Sequence, residues 1–111
     1  MITRTLKLLV SLVATVSLTG PAHAAPTYLS GHIFDVTFSG ASVLIRLDTG
    51  LPDNCIGSPY GWIVIPETYK PMIAFVLAGW MRGDLGQINV TVYTDGLVNN
   101  YCRVNQFDPE N

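Results

Sequence analysis

A small, mainly β domain with a single helix, ordered β-β-β-α-β-β, is the fold class that the sequence predicts, and three observations predict it. Residues 31–47 alternate apolar and polar side chains, with one break at Ser39-Gly40. Residues 72–80 switch to a helical period. Cys55 and Cys102 bracket that helix together with one strand-like run on each side of it.

The elements follow in order. Ala25–Ser30 reads as an extended arm. From Gly31, His32, Phe34, Val36 and Phe38 fall on one face, and Ile33, Asp35 and Thr37 on the other, which is the period of a strand. After the Ser39-Gly40 turn, Val43, Ile45 and Leu47 lie opposite Ser42, Leu44 and Arg46, so the two runs make a hairpin. Residues 48–61 are rich in Gly, Pro, Asp and Asn and form a long loop with Cys55 in its middle. Trp62–Ile65 is a short third strand ended by Pro66.

Met72, Ile73, Val76, Leu77 and Trp80 then share one face of a helix over about Thr68–Arg82. Thr68 is the expected N-cap, Pro71 falls in the first turn where a missing N–H costs little, and Gly83 or Gly86 ends the helix. Ala74 and Ala78 lie on its reverse face with Phe75 beside them, either a surface narrow enough to admit a second helix or backbone, or a partly exposed alanine face that serves helix propensity. Gln87–Tyr93 alternates as a fourth strand, Thr94–Asn100 reads as a loop, Tyr101–Phe107 as a fifth strand and Asp108–Asn111 as a polar tail. A small barrel with its only helix between the third and fourth strands has the OB-fold order, and closure removes exposed sheet edges. An open α+β roll is the alternative.

Residues 1–24 read as a secretory leader. Arg4 and Lys7 form its basic start, Leu8–Leu18 its apolar stretch, and Ala22-His23-Ala24 an A-x-A cleavage site. The apolar run is shorter than the roughly 20 residues of a bilayer span, so no membrane span is expected after processing. About 87 residues then remain, room for one core and one domain, 25–111. Of the six basic residues two are in the leader, leaving four against eight acidic ones, a net charge of −4. With no basic stripe to displace phosphate counterions, nucleic acid is not an expected partner.

In an oxidising compartment two cysteines are read as a structural disulfide, and the protein as secreted or periplasmic. Catalytic machinery is hard to assemble. The one histidine after the leader, His32, sits on an alternating strand with Asp35 on the opposite face, and no serine stands in a nucleophile-elbow context. Asp48, Asp53 and Asp95 lie at turns, where aspartate usually caps backbone amides. Calcium would need a denser ligand run than Asp48–Asn54 offers, so neither metal nor cofactor is expected. Asn89-Val90-Thr91 matches a glycosylation sequon, but within a strand and behind a leader of bacterial type it is discounted. Binding chemistry fares better: Tyr60 and Trp62 open the third strand, Asn99, Asn100 and Tyr101 open the fifth, and a disulfide draws the two regions together. Aromatic faces beside amides suit sugar rings, whose C–H faces stack while their hydroxyls hydrogen-bond.

The run Cys55…Trp62-Ile-Val-Ile65…Lys70-Pro-Met72…Ala78-Gly-Trp-Met-Arg-Gly83…Gln87-Ile-Asn-Val-Thr-Val92…Cys102 resembles small exported bacterial domains with one disulfide. More distantly it is similar to the receptor-binding B subunits of AB5 toxins of the pertussis-like and subtilase-cytotoxin kind. The resemblance covers about half the chain, mostly at scaffold positions. It implies an OB-fold, export and oligomerisation, and none of the toxins' glycan-contacting residues is carried over. Two functions are therefore expected to compete. One is a non-enzymatic glycan- or protein-binding module, oligomeric through the Ala74–Ala78 face. The other is a monomeric periplasmic inhibitor or accessory protein. Under either, Cys55→Ser should cost about 2–5 kcal/mol; an unchanged melting temperature on reduction would refute the disulfide.

Overall fold

The computed structural model describes residues 26–110; the leader and its cleavage site lie outside them. Five strands, β1 (Tyr28–Ser39), β2 (Ser42–Leu47), β3 (Ile63–Ile65), β4 (Asn89–Val98) and β5 (Tyr101–Glu110), and one helix, α1 (Lys70–Arg82), follow in the expected order. The strands close in a ring, β1-β2-β3-β5-β4, and β4 returns to β1. Every pairing is antiparallel except β3 with β5, which is parallel. This is an OB-like barrel, and the open roll is set aside.

Alternation builds the core. Val43, Ile45 and Leu47 of β2, Ile63 and Ile65 of β3, Val90 and Val92 of β4, and Cys102 and Val104 of β5 all point inward and are buried. β1 departs from the simple period. Ile33 pairs with Leu47 and Asp35 with Arg46, so two steps on β1 match one on β2 and Phe34 is an inserted residue. The bulge bends the strand around the barrel and reverses its faces. Ile33 is therefore in the core, Val36 packs against it after the bulge, Phe34 stands outside, and Phe38, opposite Val43 at the end of the strand, is half-exposed. The single face expected for His32, Phe34, Val36 and Phe38 does not exist.

Several boundaries also move. β1 begins at Tyr28, because Tyr28–His32 pair with Tyr93–Asn89 of β4. Trp62 precedes β3 instead of opening it. Tyr69, not Thr68, is the N-cap of α1, without a side-chain capping bond, and Pro71 sits in the first turn as expected. At the other end Gly83 is left-handed, and the N–H groups of Gly83 and Asp84 both reach the Gly79 carbonyl, a Schellman-type stop.

The helix is rotated from its expected setting. Tyr69, Met72, Ile73, Phe75 and Val76 pack on the core, while Trp80 is half-exposed and meets the Phe38 ring at 5.9 Å. The pivot is Gly79, where a Cβ would come within 2.9 Å of Leu85 Cδ1. Leu85 is a buried core residue on the turn after the helix, and it takes the place that Trp80 was expected to fill. Phe75, expected outside, meets Phe107 edge-on at 6.0 Å. Ala74 and Ala78 are exposed.

The expected loop Thr94–Asn100 proves to be strand as far as Val98, and the expected polar tail is strand through Glu110. β4 continues to Val98 through two register shifts, which hide its alternation. Asn99 and Asn100, both at positive φ (54° and 75°), make the two-residue turn into β5, as asparagine tolerates this region and such hairpin turns require it. Asp108, Pro109 and Glu110 pair with Thr91, Val90 and Asn89.

The Cys55–Cys102 disulfide forms across a Cα separation of 5.1 Å and 47 residues of sequence. Beside it the buried Ser58 hydroxyl accepts from the Cys102 N–H at 2.9 Å and donates to the Trp62 carbonyl. It thus stands as a rung between β5 and the residue leading into β3. Asn54 ties the same loop to the barrel end, through Thr94 and the Pro26 carbonyl. Ser58→Ala should therefore remove the side-chain partner of the buried Cys102 N–H and of the part-buried Trp62 carbonyl and cost about 1–3 kcal/mol, as measured by denaturant unfolding; a cost near zero would show that the rung is dispensable.

Candidate binding cleft

The outward residues of β2, β3 and β5 form one surface. Register sets Leu44 beside Val64 and Val64 beside Arg103, so the three make a row across the sheet. Above this row lies an open cleft of about 460 Å³. Val64, Pro66 and Val98 form its apolar part, with the Tyr101 ring. Ser42, Glu67, Thr68, Asn99 and Arg103 supply hydroxyls, a carboxylate, an amide and a guanidinium. A smaller hollow of about 170 Å³, sharing Ser42, Val64 and Tyr101, reaches Ser39 and Leu44. The cleft thus lies between the β1–β2 turn and the β4–β5 turn, and each wall comes from a different part of the chain.

Arg103 is held in place. Its Nε and Nη2 donate to Asp95 Oδ2 at 3.0 and 2.8 Å, while Asn105 Nδ2 donates to Asp95 Oδ1 at 2.7 Å. The Asn105 hydrogen bond first, and the Arg103 guanidinium second, hold the Asp95 carboxyl below its ordinary range, against a small opposing desolvation. Asp95, read from the sequence as a turn residue, is in fact the anchor that fixes a cleft wall.

At the other end of the same outer surface Arg46 lies between two rings, 4.9 Å from the centroid of Phe34 and 4.8 Å from that of Trp62. Its Nε and Nη2 donate to Asp35, and Nη1 reaches the Tyr60 carbonyl at 3.4 Å. The bulge at Phe34 makes this stack, because it turns the ring outward over β2. Tyr60 itself is 84% exposed and carries φ 55°, an uncommon conformation for a residue with a Cβ.

The five residues expected to form a ligand surface are therefore divided. Asn99 and Tyr101 line the cleft, whereas Asn100 completes the turn without lining it. The Ile63–Cys102 pairing sets Trp62 level with Tyr101 on adjacent strands, yet the Trp62 ring is engaged by Arg46. Tyr60 projects from the turn Pro59–Gly61 outside the cleft. Arg103, Glu67, Thr68 and Ser42 were not foreseen. The alternation of Tyr101 and Arg103 about Cys102 was the available signal for the first of them.

His32 is paired not with Asp35 but with Asp48 at the end of β2: Nδ1 lies 3.3 Å from Oδ2, and the His32 backbone N–H donates to Oδ1 at 2.8 Å. That backbone bond is the main cause of the lowered Asp48 carboxyl pKa. Among the described residues no group of three or more His, Cys, Asp or Glu side chains is placed to hold a metal ion, and no helix is long and apolar enough to cross a membrane.

No family model matches the chain, and neither curated proteins nor solved structures give a match.

A depressed carboxylate favours the folded arrangement above its unfolded pKa and loses that contribution as pH falls through the folded value. The Arg103 Nε–H resonance should therefore hold steady down to weakly acidic pH and move with a midpoint below 3.8, the ordinary aspartate value. A midpoint at or above 3.8 would show that Asp95 does not anchor Arg103.

Proposed function

We propose that this protein is a secreted or periplasmic binding module, without enzymatic activity, that recognises carbohydrate in the cleft over β2, β3 and β5. The observation that carries this reading is the composition of one open surface. An aromatic ring and aliphatic floor lie beside hydroxyl, amide, carboxylate and guanidinium groups. A pyranose presents the matching pattern, with C–H faces that stack on a ring and hydroxyls that both donate and accept. Openness suits a terminal sugar or a chain passing across the surface. The leader-like first 24 residues and the disulfide support export. The exposed Ala74–Ala78 face supports assembly into an oligomer resembling the toxin B subunits.

A second reading, a monomeric inhibitor or accessory protein of the periplasm, is favoured by a different observation. Tyr60 and Met81 are each 84% exposed, and Trp80 is 53% exposed, the kind of large side chain that a protein partner covers.

Glycan-array screening followed by calorimetry distinguishes them. The carbohydrate reading expects a saturable hit, and Tyr101→Ala should weaken it about tenfold, the loss of roughly 1–1.5 kcal/mol of ring stacking, while the folded state is retained. No hit across a broad array, or a hit unaffected by Tyr101→Ala and Arg103→Ala, would refute it. Native mass spectrometry decides between oligomer and monomer.

A further inference from the structure

Among the described residues, β5 has a stretch of backbone edge without a strand partner. Its Cys102 and Arg103 pair with β3, but from Asn105 to Glu110 no described strand lies on that side, although the opposite side pairs with β4 as far as Glu110. The phase of the ladder follows from Pro109. It faces Val90 and has no N–H, so this pair is one that exchanges no hydrogen bonds, and Phe107, two residues earlier opposite Val92, has the same phase. The N–H and C=O of Phe107 therefore point away from β4, along the open edge. Such a row of unpaired groups is a template for another strand.

The edge runs beside the first turns of α1. A groove of about 180 Å³ lies between Pro71, Met72, Phe75, Phe107 and Pro109. It shares Pro71 and Met72 with a second hollow of about 320 Å³ that reaches Asn105. Unpaired backbone next to an apolar trough is the combination that captures extended peptides, with main-chain bonds giving affinity and alternate side chains giving specificity.

We infer that this edge accepts an extended segment of another protein as an added strand, with apolar side chains at alternate positions in the groove and basic residues opposite Asp108 and Glu110. A second copy fits the edge less well. A self-pair centred on Phe107 sets each Pro109, with no N–H to donate, against Asn105 of the other chain. It also gathers Asp108 and Glu110 of both copies on one short ribbon, where like charges repel. A basic strand from a different protein loses only the one Pro109 N–H, where a self-pair loses two, and it meets Asp108 and Glu110 with opposite charge.

The probe is a capped heptapeptide, Lys-Val-Lys-Val-Thr-Val-Thr, titrated into the isotope-labelled full chain expressed with its leader and recovered from a bacterial periplasm. The expected result is a saturable shift of the Phe107 amide, weakened at least tenfold when alternate peptide nitrogens are methylated and weakened again when glutamate replaces both lysines. Methylation alters only the probe, so the test does not depend on a variant folding. Met72→Glu, at a half-buried groove position, should also weaken binding at least tenfold while the remaining amide spectrum is retained. The inference is overturned if millimolar peptide leaves Phe107 unmoved, or if the shifts fall on Tyr101 and Arg103 in the cleft. Movement of Phe107 with protein concentration alone would also overturn it, by assigning the edge to a second copy.

Discussion

The seam between β3 and β5 is the constraint on which the rest of this structure depends. The β1–β2 and β4–β5 hairpins are sequence-local, and β2–β3 and β1–β4 pair antiparallel along the wall, but β3 and β5 meet in parallel at only two register positions, Ile63–Cys102 and Val64–Arg103. Two parallel rungs are a weak closure, and closing nearly 40 residues of chain for them is entropically costly. The disulfide and the Ser58 hydroxyl both act at this place. One shortens the loop that the unfolded chain must close, and the other supplies hydrogen bonds where the strands begin. In a domain of this size a contribution of about 4 kcal/mol is comparable to its whole net stability.

The same seam makes the cleft. Val64 and Pro66 come from one side of it, Tyr101 and Arg103 from the other, and Ser42 from the strand beyond. Without closure these residues lie at opposite edges of an open sheet, joined only through the β1–β4 ladder. The shortness of the seam has a further consequence, because β5 runs on past Arg103 after β3 has ended. The chain turns into α1 at that point, and the helix shields the barrel interior without pairing with the strand edge. An open cleft above the seam and an open edge beyond it have one cause, a third strand of only three residues.

Polar groups near these surfaces are arranged to hold side chains still. Asp95 fixes Arg103, Asp35 fixes Arg46 between two rings, and Asp48 fixes His32. Each acidic partner sits one strand position or one turn away from the group it orients. These pairs are partly exposed, so their contribution to stability is small and screened by salt. Their effect is on orientation: Arg103 keeps its place at the cleft wall because two donors and one carboxylate share a rigid geometry.

By itself the sequence determined the element order, the inward residues of β2 and the first half of β4, Pro71 in the first turn of the helix, a glycine at its end, and the disulfide. These follow from local periods and from residues with narrow conformational roles, which act before any tertiary contact exists. It misjudged whatever depends on a bulge or a close approach. Phe34 is an inserted residue only because β1 must bend around a closed barrel, and nothing in a period-two pattern marks where the extra residue falls. Trp80 lies outside only because Leu85 approaches Gly79, a contact between the helix and the turn that follows it. Arg103 became a cleft residue because Asp95 and Asn105 hold it there, across bulges that hide the alternation of β4. Tertiary structure decided these points because strand curvature and packing are set by the whole ring, and no single segment carries that information.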